Sequence, residues 1–133
     1  MKKKVLISIG IGIVLLSSYV LLSNGFHNIG SIEVQRFDRE TNELMEEKII
    51  TDTSAIKGFT KILNRANRDN NVSYEMSRQE DYRINVLYEN GETDVFLGWN
   101  QEGVNILLPR TTTNDVFRIE NKKHIKGFLE IVE

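Results

Sequence analysis

The chain has 133 residues and a mean hydropathy of -0.32, which suits one domain with some length to spare. Of its 17 basic side chains, three are Lys2, Lys3 and Lys4, whereas none of its 19 acidic residues precedes Glu33, so everything beyond residue 25 is net acidic. That balance argues against nucleic acid, whose phosphates need a basic footprint. The absence of cysteine excludes disulfides, thiolate metal sites, a catalytic thiol and a lipidated cysteine.

The three lysines precede Val5 to Leu22, a run without a charged residue. At helical rise this run comes close to spanning a bilayer core of about 30 Å. Flanking lysines stay on the cytoplasmic side, so the C-terminal part of the chain is exported. The alternative is a secreted protein with a cleaved signal peptide, since Ser23 and Gly25 offer small residues before a cut. A signal's apolar region usually runs to about 7–15 residues, however, and this one is longer. The sequence therefore predicts a signal anchor over residues 1–25, membrane contact through residues 5–22, and an extracytoplasmic domain over 26–133. Asn24 to Ser31 reads as a short tether.

Ile32 to Phe37 and Leu44 to Ile50 read as strands separated by a polar turn. Asp52 is a good N-cap for a helix with Ile56, Phe59, Ile62, Leu63 and Ala66 on one face, ending near Asn67 to Asn71. Val72 to Met76 suggests a short strand. Tyr82 to Leu108 then spells a β-meander. Asn90-Gly91 predicts a two-residue hairpin loop, which sets Ile84 against Leu97, Val86 against Val95 and Tyr82 against Trp99. A four-residue turn at Asn100 to Gly103 sets Trp99 against Val104 and Leu97 against Ile106. In that register Tyr82, Ile84, Val86, Tyr88, Val95, Leu97 and Trp99 face the core. Leu87, Phe96 and Leu107 gather on the other face as a candidate interaction surface.

Beyond Pro109, the only proline, come a polar loop and a strand at Val116 to Ile119. Asn121 caps a last helix with Ile125, Phe128, Leu129 and Val132 inward. Lys122 and Lys123 lie early and Glu130 and Glu133 late, opposing the helix dipole, so this helix depends on packing. The two helices echo each other. Ile50, Asp52, Ile56, Lys57, Gly58, Phe59 and Ile62 recur as Ile119, Asn121, Ile125, Lys126, Gly127, Phe128 and Ile131 at one constant offset. A glycine inside a helix costs about 1 kcal/mol relative to alanine. Its repetition beside the phenylalanine predicts close approach of each helix backbone to the sheet. The predicted class is α+β: an antiparallel meander sheet packed by two amphipathic helices, preceded by one N-terminal transmembrane helix.

No catalytic constellation stands out. His27 and His124 are the only histidines and lack metal-ligand spacing, so no metal and no cofactor is expected. No serine sits in a nucleophile motif. Glu80, Asp81, Glu89, Glu92, Asp94 and Glu102 cluster near turns, where solvated side chains are the ordinary reading. A hydrolase would need two of them in one cleft with one pKa raised.

With a lysine-flanked anchor, the Asp81-Tyr82-Arg83-Ile84 strand, and a strand carrying Phe96, Leu97 and Trp99 ahead of a final helix, the chain resembles small membrane-anchored or lipid-anchored exported proteins of Gram-positive spore formers. Those families have no known function, and the resemblance implies no site residues. Lipid-anchored members carry a cysteine that this chain lacks. The leading expectation is a non-enzymatic, membrane-anchored module that binds a protein or envelope component through an open sheet face or edge. The alternatives are a small carboxylate-dependent hydrolase and an accessory subunit of a larger membrane protein.

Overall fold

The structure, a computed structural model, describes residues 23–70 and 76–133. The expected anchor at residues 5–22 and nearly all of the expected strand at 72–76 lie outside the described residues. The elements run β1 (Ile29–Phe37), β2 (Leu44–Ile50), α1 (Thr53–Arg65), β3 (Asn67–Asp69), β4 (Tyr82–Tyr88), β5 (Thr93–Gln101), β6 (Asn105–Pro109), β7 (Val116–Ile119) and α2 (Lys122–Val132). The class is α+β. One seven-stranded sheet in the order β2-β1-β4-β5-β6-β7-β3 pairs antiparallel throughout, and both helices pack against the apolar residues of one face.

The order is nearly palindromic about the β4–β5 hairpin. On one side lie β1 and β2, which lead into α1. On the other lie β6 and β7, which lead into α2. The repeated sequence falls on these equivalent units. Asp52 accepts from the Ala55 N–H at 3.0 Å, and Asn121 accepts from the Lys123 and His124 N–H groups at 2.9 and 3.3 Å. Phe59 and Phe128 are both fully buried, and their rings stack with centroids 6.3 Å apart. The two helical glycines face the opposite helix, which corrects the expectation that they face the sheet. A methyl group on Gly58 would lie 3.5 Å from Ile131 Cδ1, and one on Gly127 would lie 3.4 Å from Ile62 Cδ1. Each helix thus offers a glycine to the other's isoleucine, and that reciprocal contact sets their spacing.

The central hairpin departs from the expected register by one residue. Tyr82 opposes Gly98, Ile84 opposes Phe96, and Val86 opposes Asp94. The loop has three residues, Glu89, Asn90 and Gly91. Only Gly91 takes a positive φ, of 89°. Asn90 instead turns its side chain to accept from the Glu92 N–H at 2.9 Å, so the two-residue turn that needs positive φ at both positions does not form. The slip reverses β5. Phe96 lies in the core, while Val95 and Leu97 are half-buried on the other face. The slip is tolerated because β5 is apolar at both parities.

The next turn also differs. Glu102 and Gly103 both take positive φ, and Trp99 opposes Leu107 instead of Val104, which is largely exposed. Trp99 is buried, but on the face away from the helices, where its indole N–H donates to the Arg78 carbonyl at 3.0 Å. Of the trio expected on an open interaction face, Phe96 therefore turns to the core, Leu107 keeps the face away from the helices but is buried there opposite Trp99, and only Leu87 is exposed.

The segment before β1 is docked onto the domain, not a loose tether. Asn24 Nδ2 donates to the carbonyls of Leu63 and Ala66 at 2.8 and 2.9 Å, satisfying orphan groups at the end of α1. Asn64 exchanges two hydrogen bonds with the Phe26 backbone. The Phe26 ring enters the core against Phe117 and Phe96, at centroid separations of 5.2 and 5.9 Å. Tilted and edge-on aromatic pairs add about 0.5–1.5 kcal/mol beyond their buried area.

Two glycine substitutions separate these environments. A methyl on Gly98 would lie 3.2 Å from Tyr82 Cβ and 3.3 Å from Leu108 Cδ2, and both neighbours are buried. Gly98→Ala is expected to destabilise by about 1–3 kcal/mol in urea titration. Gly58→Ala meets ordinary contact and gains helix propensity, so it is expected to stabilise by up to about 1 kcal/mol.

Candidate functional site

Three regions carry the polar chemistry or the exposed apolar surface of the domain. The first centres on Asp94, which the hairpin register turns inward at the end of the core face. Its carboxylate accepts from Arg110 Nε at 2.9 Å, Thr112 Oγ1 at 2.7 Å and Tyr88 Oη at 2.7 Å, with a second bond from the Arg110 guanidinium. The guanidinium lies over the Phe26 ring, 5.4 Å from its centroid. Beside this cluster, the docked segment Asn24–Asn28 and the turn Glu89–Thr93 line an open polar cleft. The second region centres on Asp81, gripped by Arg78 at 2.7 and 2.9 Å, by Arg39 at 3.1 Å and by the Asn100 N–H at 2.8 Å. Both arginines also donate to the Asn100 carbonyl, so the cluster ties β4 and the β1–β2 turn to the end of β5.

Burial alone would raise both carboxyl pKa values. For Asp81 the Arg78 and Arg39 side chains and the Asn100 N–H outweigh it; for Asp94 the Arg110, Thr112 and Tyr88 side chains do so. Both carboxyls are held below the ordinary range. Asp38 is also lowered, by the backbone N–H groups of Thr41 and Glu40. Tyr82 and Tyr88 are pushed up by burial and by bonding to Glu133 and Asp94, so both phenols stay protonated donors. Among the described residues, every carboxyl with a resolved shift moves down. None shows the raised pKa that a carboxylate-pair hydrolase needs. With its four bonds made, the Asp94 carboxylate has little left to offer a substrate. Asp81 and Asp94 act as braces.

The histidines sit apart. His27 is exposed, and its ring nitrogen lies 2.8 Å from the Gly25 carbonyl. His124 is in the first turn of α2, where burial and the charges of Arg65, Lys61 and Lys123 lower its pKa. No three His, Asp or Glu side chains converge in a metal-binding group among the described residues.

The third region is the free edge of the sheet. Among the described residues β2 pairs only with β1. It carries three of the large exposed hydrophobics: Ile49 at 73 % exposure, Met45 at 56 % and Leu44 at 50 %. A bulge opposite Arg36 shifts the alternation, so that Leu44 instead of Met45 opposes Phe37. Ile49, Glu47 and Leu44 consequently share the face away from the helices. Leu87, on β4, lies on that face too. The other edge strand, β3, is only Asn67–Asp69 and polar. The sequence marked Leu44–Ile50 as a strand but gave no sign that it ends the sheet. Arg39, Arg110 and Thr112 read as turn and loop residues, because their acidic partners lie far off in sequence, and Arg78 reads as one although its partner Asp81 is only three residues away.

No family model, curated protein or solved structure matches the chain.

Acid should loosen the braces. A carboxyl held low in the folded state adds stability above the ordinary carboxylate pKa of about 3.9 and gives it up as pH falls through its folded value. The urea midpoint is therefore expected to fall steeply below about pH 4. Asp94→Asn leaves Arg110 short of its counter-charge, and is expected to cost about 3 kcal/mol or more at pH 7 and to flatten that acid dependence.

Proposed function

We propose that this protein is a non-enzymatic binding module, held on the outer side of a membrane by its N-terminal segment, which engages a protein or envelope partner through the free edge of its sheet. The observation that carries this reading is β2: a seven-residue edge strand with Leu44 and Ile49 exposed on one face. An unpaired strand presents rows of backbone donors and acceptors that another chain can complete. Edges of this kind are usually short, charged or covered; the opposite edge, β3, is short and polar, whereas β2 carries Glu46, Glu47 and Lys48 yet keeps Leu44, Met45 and Ile49 exposed.

The membrane part of the reading is supported by the uncharged run from Val5 to Leu22 behind three lysines. Among the described residues no helix is long and apolar enough to cross a bilayer. Asn24 and Phe26 are docked onto α1, so the described chain is held to the domain from residue 24 onward.

Two experiments bear on the reading. On fractionation the full chain is expected in the membrane pellet and resistant to alkaline extraction, and deletion of residues 1–22 is expected to release it. In cross-linked membranes, Ile49→Lys is expected to reduce recovery of the specific partner roughly tenfold, the effect of losing a contact worth about 1.4 kcal/mol. It should change the urea midpoint little, because the side chain is exposed. Equal recovery with wild type and Ile49→Lys would refute the edge as the binding surface.

A further inference from the structure

On the assumption that the edge of β2 is the binding surface, the partner's chemistry can be read from the side chains that flank it. We infer that the partner is an extended segment that adds to β2 as a further strand, with a basic side chain opposite Glu47 and a β-branched apolar one opposite Ile49. In an antiparallel or parallel pair, residues facing each other across the ladder share a face of the sheet. On the face away from the helices the strand presents Ile49 and then Glu47. Ile49 is largely exposed, and its neighbour across β1 is Glu33, so its apolar surface is unmatched on the sheet side. Glu47 accepts one neutral hydrogen bond, from Gln35 Nε2 at 2.9 Å, and has no cationic partner among the described residues.

The helix-side residues of the same strand are already engaged. Glu46 pairs with Arg36 at 2.9 Å, and Lys48 Nζ donates to the Ile131 carbonyl at 3.1 Å. The unmet demand is thus one positive charge and one apolar side chain two residues apart, both on the outer face. A second copy of this chain fits less well. Two β2 strands centred on each other would place Glu47 opposite Glu47, and like charges directly opposed are destabilising. The bulge near Met45 also denies the self-pair a second apolar match for Ile49 on that face.

The test uses the full chain, isotope-labelled in detergent micelles, and a capped peptide of sequence Thr-Val-Thr-Lys-Thr-Val-Thr, whose symmetric pattern can pair in either direction. Amide shifts are expected in Leu44–Ile50 and the adjoining β1. Binding should be roughly threefold to tenfold tighter than for the same peptide with glutamate at its centre. In Glu47→Lys the preference between the two peptides is expected to reverse. Equal binding of both peptides, shifts confined to other strands, or β2 signals that change with protein concentration alone, as a second copy would cause, would each overturn the assignment. If neither peptide binds at β2 while Ile49→Lys still loses its partner in membranes, the edge stands and only the partner's chemistry falls. If Ile49→Lys loses nothing either, both fall.

Discussion

The pairing of Ile84 with Phe96 is the contact on which the rest of this structure depends. It fixes which face of β5 meets the helices. Once Phe96 points inward, it meets Phe26 and Phe117 and closes the core beside the docked N-terminal segment. The same choice turns Asp94 inward, where burial of a carboxylate is costly unless it is fully bonded. Arg110, Thr112 and Tyr88 meet that requirement. Had the strand slipped by one residue, Asp94 would face outward and Arg110 would lose the carboxylate it now grips. Core packing and the ion pair therefore select one register together.

Above the sheet, two similar units pack by exchange. Gly58 receives Ile131, and Gly127 receives Ile62. With Lys122 and Lys123 at its start, α2 has no acidic residue in its first turn, and its dipole is poorly matched. Its stability comes from Ile125, Phe128 and Val132 in the core and from that exchange. The arrangement also explains why, among the described residues, one long edge is exposed. The palindromic order would leave two equivalent edges, β2 and β7. The short strand β3, which comes after α1, pairs with β7 and closes that side. Nothing among the described residues does the same for β2.

Much of this was legible in the chain. Leu44–Ile50 and Val116–Ile119 are strands as expected, and Asp52 and Asn121 cap the helices because a side-chain oxygen before an amphipathic run has few other uses. The α+β class follows from those elements. The hairpin register was not legible. Asn90-Gly91 favours a two-residue loop locally, but Val95-Phe96-Leu97 is apolar on both parities, so the alternation could not arbitrate. The deciding partners, Arg110 and Phe117, lie far along the chain. The surface patch read from that register failed in part: Phe96 turns to the core, Leu107 is buried opposite Trp99 on the other face, and three of the exposed large hydrophobics lie on β2. Position in the sheet, unlike strand identity, depends on long-range pairing that no local pattern encodes.

Among the described residues one edge of a well-braced sheet stands open, and the proposed binding role depends on it. Amide hydrogen exchange of the isolated full chain in micelles tests this most directly, strand by strand. The open edge predicts that alternate amides of Leu44–Ile50, those turned away from β1, exchange at close to unprotected rates, while the amides of Tyr82–Tyr88 and Thr93–Gly98 are slowed by orders of magnitude. Uniform slow exchange along all of β2 would mean that the edge is already covered, and would contradict a binding role for it.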